Sequence, residues 1–298
     1  MELKIIQALL VIYAIVVGVI LLRDYLRNRE RDMPRRDKLL HYGIGFGVNF
    51  FDALGIGSFA PTVALYGMFH LVEEKKIPGT MNAGVSIPVI FEALLFLTVV
   101  QVELTTLVPM VICGIAGAIV GTRIANKVSV RTITLVLSVG LFIAAVLMLG
   151  SKFGILPAGG EAIGLTGISL VVACVANFIL GITLCFGIGN YAPCMCIVYL
   201  LGMSPLVSFP LMMCSGATVS PTTGMMNVRE GNINRTAVMG MTVGGILGVA
   251  IAVYIVKSMP ISMLQWLVIA VVFYSSVSMF LRSQKMAIRT TAVVQNKE

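Results

Sequence analysis

Two heptapeptides bring together the residue types best suited to binding chemistry: Gly55-Ile56-Gly57-Ser58-Phe59-Ala60-Pro61 and Gly187-Ile188-Gly189-Asn190-Tyr191-Ala192-Pro193. Gly55, Gly57, Gly187 and Gly189 accept backbone angles that other residues resist, and Pro61 and Pro193 cannot donate to a continuing helix. Each heptapeptide is therefore expected to stop one helix and start another. Ser58 and Asn190 stand as N-cap residues ahead of the second half-helix, whose first amides lack an intrahelical partner and carry the positive end of the helix dipole. Two such N-termini facing one another would hold an anion, with Gly57, Phe59, Gly189 and Tyr191 beside it. Further polar residues fall at helical spacing near the breaks: Gly45, Asn49 and Asp52; Asn82 and Ser86; Ser215, Thr218 and Thr222. They are placed to line a pathway, although a single Ser or Thr more often bonds back to its own helix carbonyl. No Lys or Arg lies deep within an apolar segment, so an anion would be held by amides, hydroxyls and carboxamides.

Asp52 and Glu92 are the two carboxylates within apolar segments. A charged carboxylate inside a membrane costs several kcal/mol, so both are candidate coupling groups that alternate between charged and protonated forms. Cys113, Cys174, Cys185, Cys194, Cys196 and Cys214 lie in apolar stretches without a CxxC or Cys/His spacing, so neither a disulfide framework nor a metal centre is implied. Cys194 and Cys196, with 18 methionines overall, leave a competing reading open: a soft-metal transporter or an intramembrane thiol redox enzyme. Against it, Met and Cys are ordinary apolar fillers of a helix bundle. His41 and His70 stand near segment ends, which argues against a haem or metal active site, and there is no Walker-type loop for direct ATP coupling. No cofactor is expected.

The elements that hold these residues must be membrane helices. Of 298 residues, 58% are hydrophobic and 11% charged, against roughly 25% charged in an ordinary soluble domain. The apolar residues come in runs of about 20, the length that spans a bilayer core as helix. A soluble fold is excluded, and an all-α polytopic membrane protein is expected. A β-barrel would alternate in polarity over about 10 residues, whereas 108–121 and 261–281 are apolar on every face. The net charge of +8 does not point to nucleic acid, because the basic residues sit at the ends of apolar segments. Segment 3–22 lacks a basic n-region and a small-residue cleavage site and is followed by Arg23, Arg27, Arg29 and Arg31. It is expected to be a retained transmembrane helix.

The two heptapeptides are 132 residues apart, and the same offset carries Pro78 onto Pro210, Gly84 onto Gly216 and Ser86 onto Thr218. A drift of one brings Pro88 onto Pro221, and an offset of 127 brings Gly117 and Gly121 onto Gly244 and Gly248. The chain is thus expected to comprise a leading helix and basic loop (1–38), a first repeat (39–150), a connecting loop (151–162), a second repeat (163–282) and a tail (283–298). If both motif segments crossed the membrane, 14 of the 21 Lys and Arg residues would lie inside and 7 outside; as re-entrant hairpins they leave 18 inside and 3 outside, Lys4, Lys152 and Lys257. The positive-inside rule favours the hairpins. Seven spans follow (about 3–22, 82–101, 104–122, 132–149, 209–228, 235–256 and 261–281), with the N-terminus outside and the C-terminus cytoplasmic. Three spans per half make the repeats inverted, the arrangement of secondary transporters. Gly117, Gly121, Gly240, Gly244 and Gly248 form small-residue ridges for close helix contact, within the bundle or in a homodimer.

Each half thus opens with a Gly-rich break and a proline, then has a Pro/Ala/Gly/Ser segment (77–88 in the first half) and a Gly-x-x-x-Gly helix followed by Arg (Gly117, Gly121, Arg123). Over about 41–281 this pattern resembles the sulfite exporter TauE/SafE family, also called toluene-sulfonate uptake permeases. The resemblance implies transport of sulfite, sulfonates or related organosulfur anions across a bacterial cytoplasmic membrane. Ser58 with Phe59 and Asn190 with Tyr191 stand where members usually carry a longer glycine run. The expected partners are a small anionic substrate and the lipid bilayer, with proton coupling through Asp52 or Glu92.

Overall fold

The computed structural model describes residues 2–28, 34–124, 130–153, 160–184 and 191–295. Among the described residues there are eleven α-helices and no strand. They are α1 Glu2–Arg27, α2 Arg35–Ala53, α3 Phe59–Phe69, α4 Ile77–Val99, α5 Leu104–Ile124, α6 Val130–Lys152, α7 Gly167–Leu184, α8 Tyr191–Leu200, α9 Pro205–Glu230, α10 Arg235–Ser258 and α11 Ile261–Gln295. Among the described residues, five stretches are long and apolar enough to cross a membrane: Leu3–Arg27, Glu74–Thr98, Leu104–Gly121, Arg235–Val256 and Gln265–Met286. The other two expected spans correspond to α6 and α9. α9 has 26 residues, about 39 Å of helix, but Ser208, Ser215, Thr218, Ser220, Thr222 and Thr223 lower its hydropathy. α4 begins at Ile77 and not near 82, because Pro78 sits in the first turn, where its missing N–H costs nothing. α11 continues helical to Gln295, through most of the stretch expected as a tail.

Glycines decide which helices meet, as expected where van der Waals packing replaces the hydrophobic drive. On α10, Gly240 lies against His41, Gly244 against the Tyr42 carbonyl and Gly248 against the Phe46 carbonyl, so α2 and α10 run parallel with their backbones nearly touching. Leu165 bonds to Thr106, Asn177 to the Met110 carbonyl, and Gly181 lies against the Gly114 carbonyl, so α5 and α7 also form a parallel pair, with Gly117 against the Phe178 carbonyl. These glycines therefore pack within the bundle. α4 and α9 run antiparallel through the centre: Gly224 packs on Ala83, and Phe96 stacks on Phe209 with ring centroids 5.0 Å apart. α6 and α11 are also antiparallel, with Ser276 Oγ donating to the Ser138 carbonyl (2.8 Å) and Phe142 against Phe273. Under the division into halves expected from the sequence, exchanging them turns the α2–α10 pair into the α7–α5 pair and leaves the α4–α9 and α6–α11 pairs unchanged.

The ends of these elements are fixed by specific bonds. At one end of the bundle, Asn234 N–H donates to Thr80 Oγ1 (2.8 Å), which joins the starts of α4 and α10, and His41 near the start of α2 sits beside Gly240. Arg235 pairs with Asp24 (2.7 Å) there and anchors the otherwise largely exposed α1. At the opposite end, Glu103 N–H donates to the Ile163 carbonyl (3.0 Å) and Leu165 N–H to Thr106 Oγ1 (2.7 Å), so the approach to α7 lies at the start of α5. Ser204 N–H donates to the Ala162 carbonyl (2.9 Å), so the residue leading into α9 neighbours one leading into α7. In the first half, the His41 and Tyr66 rings meet edge to face at 5.6 Å, so α3 folds back along α2.

Candidate functional site

α2 stops as its sequence requires. Gly55 and Gly57 adopt φ of +89° and +87°, a region costly for any residue with a Cβ. Gly55 N–H donates to the Asp52 carbonyl (2.7 Å) and Ile56 N–H to the Phe51 carbonyl (3.1 Å), closing the last turn. Ser58 occupies the N-cap position of α3, but its hydroxyl makes no capping bond. Asp52 takes part of that role instead: its Oδ1 accepts from Ser58 N–H at 2.6 Å. The Ser58 carbonyl in turn receives Thr62 Oγ1 (2.6 Å). Pro61 is the third residue of α3, where a missing N–H is tolerated. Among the described residues, none lies within 4 Å of a Cβ built at Gly57.

Gly187, Gly189 and Asn190, where the second break is expected, lie outside the described residues; α8 is described from Tyr191 and contains Pro193. The first tip packs against this second half. Gly55 touches Met195 of α8 and Met212 of α9, and Tyr191 lies beside Asp52, Glu92 and Cys214. The Tyr191 hydroxyl also lies against Gly216, next to Val89. Asn49 and Pro88 both meet Gly245, and one turn further along their helices stand Asp52 and Glu92. Asp52, Ser58, Glu92 and Tyr191, from four different helices or their caps, thus come together, each 7% exposed or less. Phe59 is buried next to Ser58.

The remaining candidate residues are occupied locally. Asn49 Nδ2 donates to the Gly45 carbonyl, Asn82 Nδ2 to Pro78, Ser86 Oγ to Asn82 and Thr218 Oγ1 to Ser215, all within their own helices. Asn82 lies beside Gly224, away from the tip, and Thr218 faces an apolar cavity of about 460 Å³ between α1, α5 and α9. Cys194 and Cys196 are buried and free. Among the described residues no three His, Cys, Asp or Glu side chains are grouped closely enough to hold a metal ion.

One residue of this region escaped the sequence reading. Asn177 of α7 donates to the Met110 carbonyl (2.5 Å) and lies 3.5 Å from Ser215 Oγ, so it joins α7, α5 and α9. At the repeat offset, Asn177 and Gly181 fall on Gly45 and Asn49, the same pair in reverse order; extending the alignment upstream of the heptapeptides would have found it. Among the described residues near the first tip, the buried side-chain oxygens without a partner are Asn49 Oδ1, Asp52 Oδ2 and both Glu92 oxygens, carbonyl or carboxyl oxygens that can accept; Asn177 Oδ1 is likewise without one.

Residues 1–148 match the family model described as Sulfite exporter TauE/SafE, so the resemblance carried by the sequence motifs is shown for that part of the chain. With the apolar helices, the match points to a multi-pass membrane transporter of sulfur anions. No curated protein and no solved structure matches the chain.

Proposed function

We propose that this chain is a secondary transporter that moves a small anion, sulfite, a sulfonate or a related organosulfur anion, by alternating access. In this reading α2–α3 and α7–α8 are re-entrant hairpins that enter from opposite faces, each followed by three spanning helices, within repeats 39–150 and 163–282. The bond between Ser204 and Ala162 supports a second hairpin that leaves by the face it entered, and the His41–Tyr66 contact does the same for the first. The arms begin at opposite ends of the bundle, α2 beside the start of α10 and α7 beside the start of α5. The observation that carries the function is the meeting of Asp52 and Ser58 at one tip with Tyr191 at the start of the other half-helix.

Bound there, the anion takes the free amides at the start of α3 and of α8, together with the Ser58 and Asn190 side chains. The unpartnered oxygens nearby are acceptors and repel an anion unless the carboxyls carry protons, so anion and proton move together. The bilayer in question is the bacterial cytoplasmic membrane, with the N-terminus outside.

A thermal-shift screen of the purified protein against sulfite, sulfoacetate, taurine, thiosulfate and simple carboxylates tests this. A sulfur oxyanion at about 100 times its Kd stabilises the folded state by about 2.7 kcal/mol, several degrees in Tm, and carboxylates give a smaller shift. No shift with any sulfur anion contradicts the proposal. The double variant Cys194→Ala with Cys196→Ala is expected to keep the shift and the transport; loss of activity there favours the thiol-enzyme or soft-metal reading.

A further inference from the structure

The two carboxyl groups of the central cluster have different surroundings. Asp52 Oδ1 receives Ser58 N–H at 2.6 Å, and the Tyr191 hydroxyl stands alongside, so a charge on Asp52 meets hydrogen-bond donors. Glu92, 0% exposed in the second half of α4, has no partner for either oxygen. Among the described residues, the titratable groups around it are Asp52 from α2 and Tyr191 from α8, the latter also next to Cys214 of α9, and α10 approaches α4 here through Gly245, which meets Pro88 one turn before Glu92. The described ion pairs, Lys76–Glu73 and Arg235–Asp24, belong to the ends of helices.

A buried carboxylate with neither a donor nor a cation costs far more than a neutral acid. The surrounding surplus of acceptors also lacks the one thing a protonated acid supplies, an O–H donor. Where paired acids differ in this way, their roles divide. We infer that Glu92 is a permanently protonated acid that donates a hydrogen bond at the heart of the site, while Asp52 alone exchanges the proton. The donor faces Asp52 when the site is empty and the anion when it is filled. The second half of this inference rests on the transport reading; the protonation of Glu92 does not.

Infrared difference spectra of the parent against Glu92→Gln test the first part directly. The expected result is the carbonyl stretch of a protonated carboxylic acid in the parent, absent from the variant and constant in amplitude from about pH 5 to about pH 9. A band that titrates within that window overturns the inference. Glu92→Gln, which can still donate, is expected to keep sulfite affinity within about threefold and to leave the pH profile of uptake unmoved, whereas Glu92→Leu weakens binding more than about tenfold. Removing an unpartnered buried polar group leaves the Tm of Glu92→Leu equal or higher, so its binding defect is not unfolding. Wild-type affinity in Glu92→Leu, or a lost pH response in Glu92→Gln, contradicts the donor role. If the parent itself binds no sulfite, the transport reading fails while the infrared band still decides the state of Glu92.

Discussion

Asp52→Asn is expected to bind the anion and to lose the dependence of uptake on a pH gradient. Asn keeps the size of Asp and an oxygen that still accepts from Ser58 N–H, the bond that ties the tip together at 2.6 Å. It removes the only property a proton carrier needs, the ability to gain and lose a charge at a depth where a fixed charge is costly. Binding is expected to tighten, since a negative charge next to the anion is gone. At equal pH on both sides, exchange of labelled for unlabelled anion in proteoliposomes should survive, while accumulation driven by an imposed pH gradient should vanish. Normal gradient-driven accumulation in the variant makes Asp52 a structural carboxylate that caps α3.

Ser58→Leu is expected to abolish binding, a loss of more than about 1.4 kcal/mol or tenfold in Kd. Ser58 is 1% exposed and its backbone already serves Asp52 and Thr62, so a larger side chain must enter the space beside the free amides of α3. Ser58→Ala, which removes only the hydroxyl and leaves the backbone bonds, separates lost contact from misfolding: it is expected to weaken binding by a few fold at unchanged Tm. Parent-like affinity in both variants reduces the Gly/Pro break to a packing device. Asn190→Leu is the matching change at the second tip.

The sequence revealed the helical membrane class and the first break because these depend on local rules: apolar runs, glycine angles and the missing proline N–H. The same rules anticipated α3 starting at Phe59. Side-chain pairing was less legible. Asn49, Asn82, Ser86 and Thr218 all satisfy their own helices, since an i−4 or i−3 carbonyl is always within reach of a short polar side chain. The capping of Ser58 by Asp52 and the meeting of Asp52, Glu92 and Tyr191 depend on how helices from both halves pack, and so does the bridging position of Asn177. Helical periodicity places a residue on a face and says nothing about which element covers that face.

The opposed hairpins are the claim on which the carrier mechanism stands. Both Glu74, in the turn after the first hairpin, and Glu161, ahead of the second, are exposed. Single cysteines at these two positions in a cysteine-free background, treated with a membrane-impermeant maleimide on intact cells, report the side each turn faces. The account predicts that position 161 is labelled from outside and that position 74 reacts only after the membrane is permeabilised; labelling of position 74 in intact cells means that the first Gly/Pro segment crosses, and contradicts it.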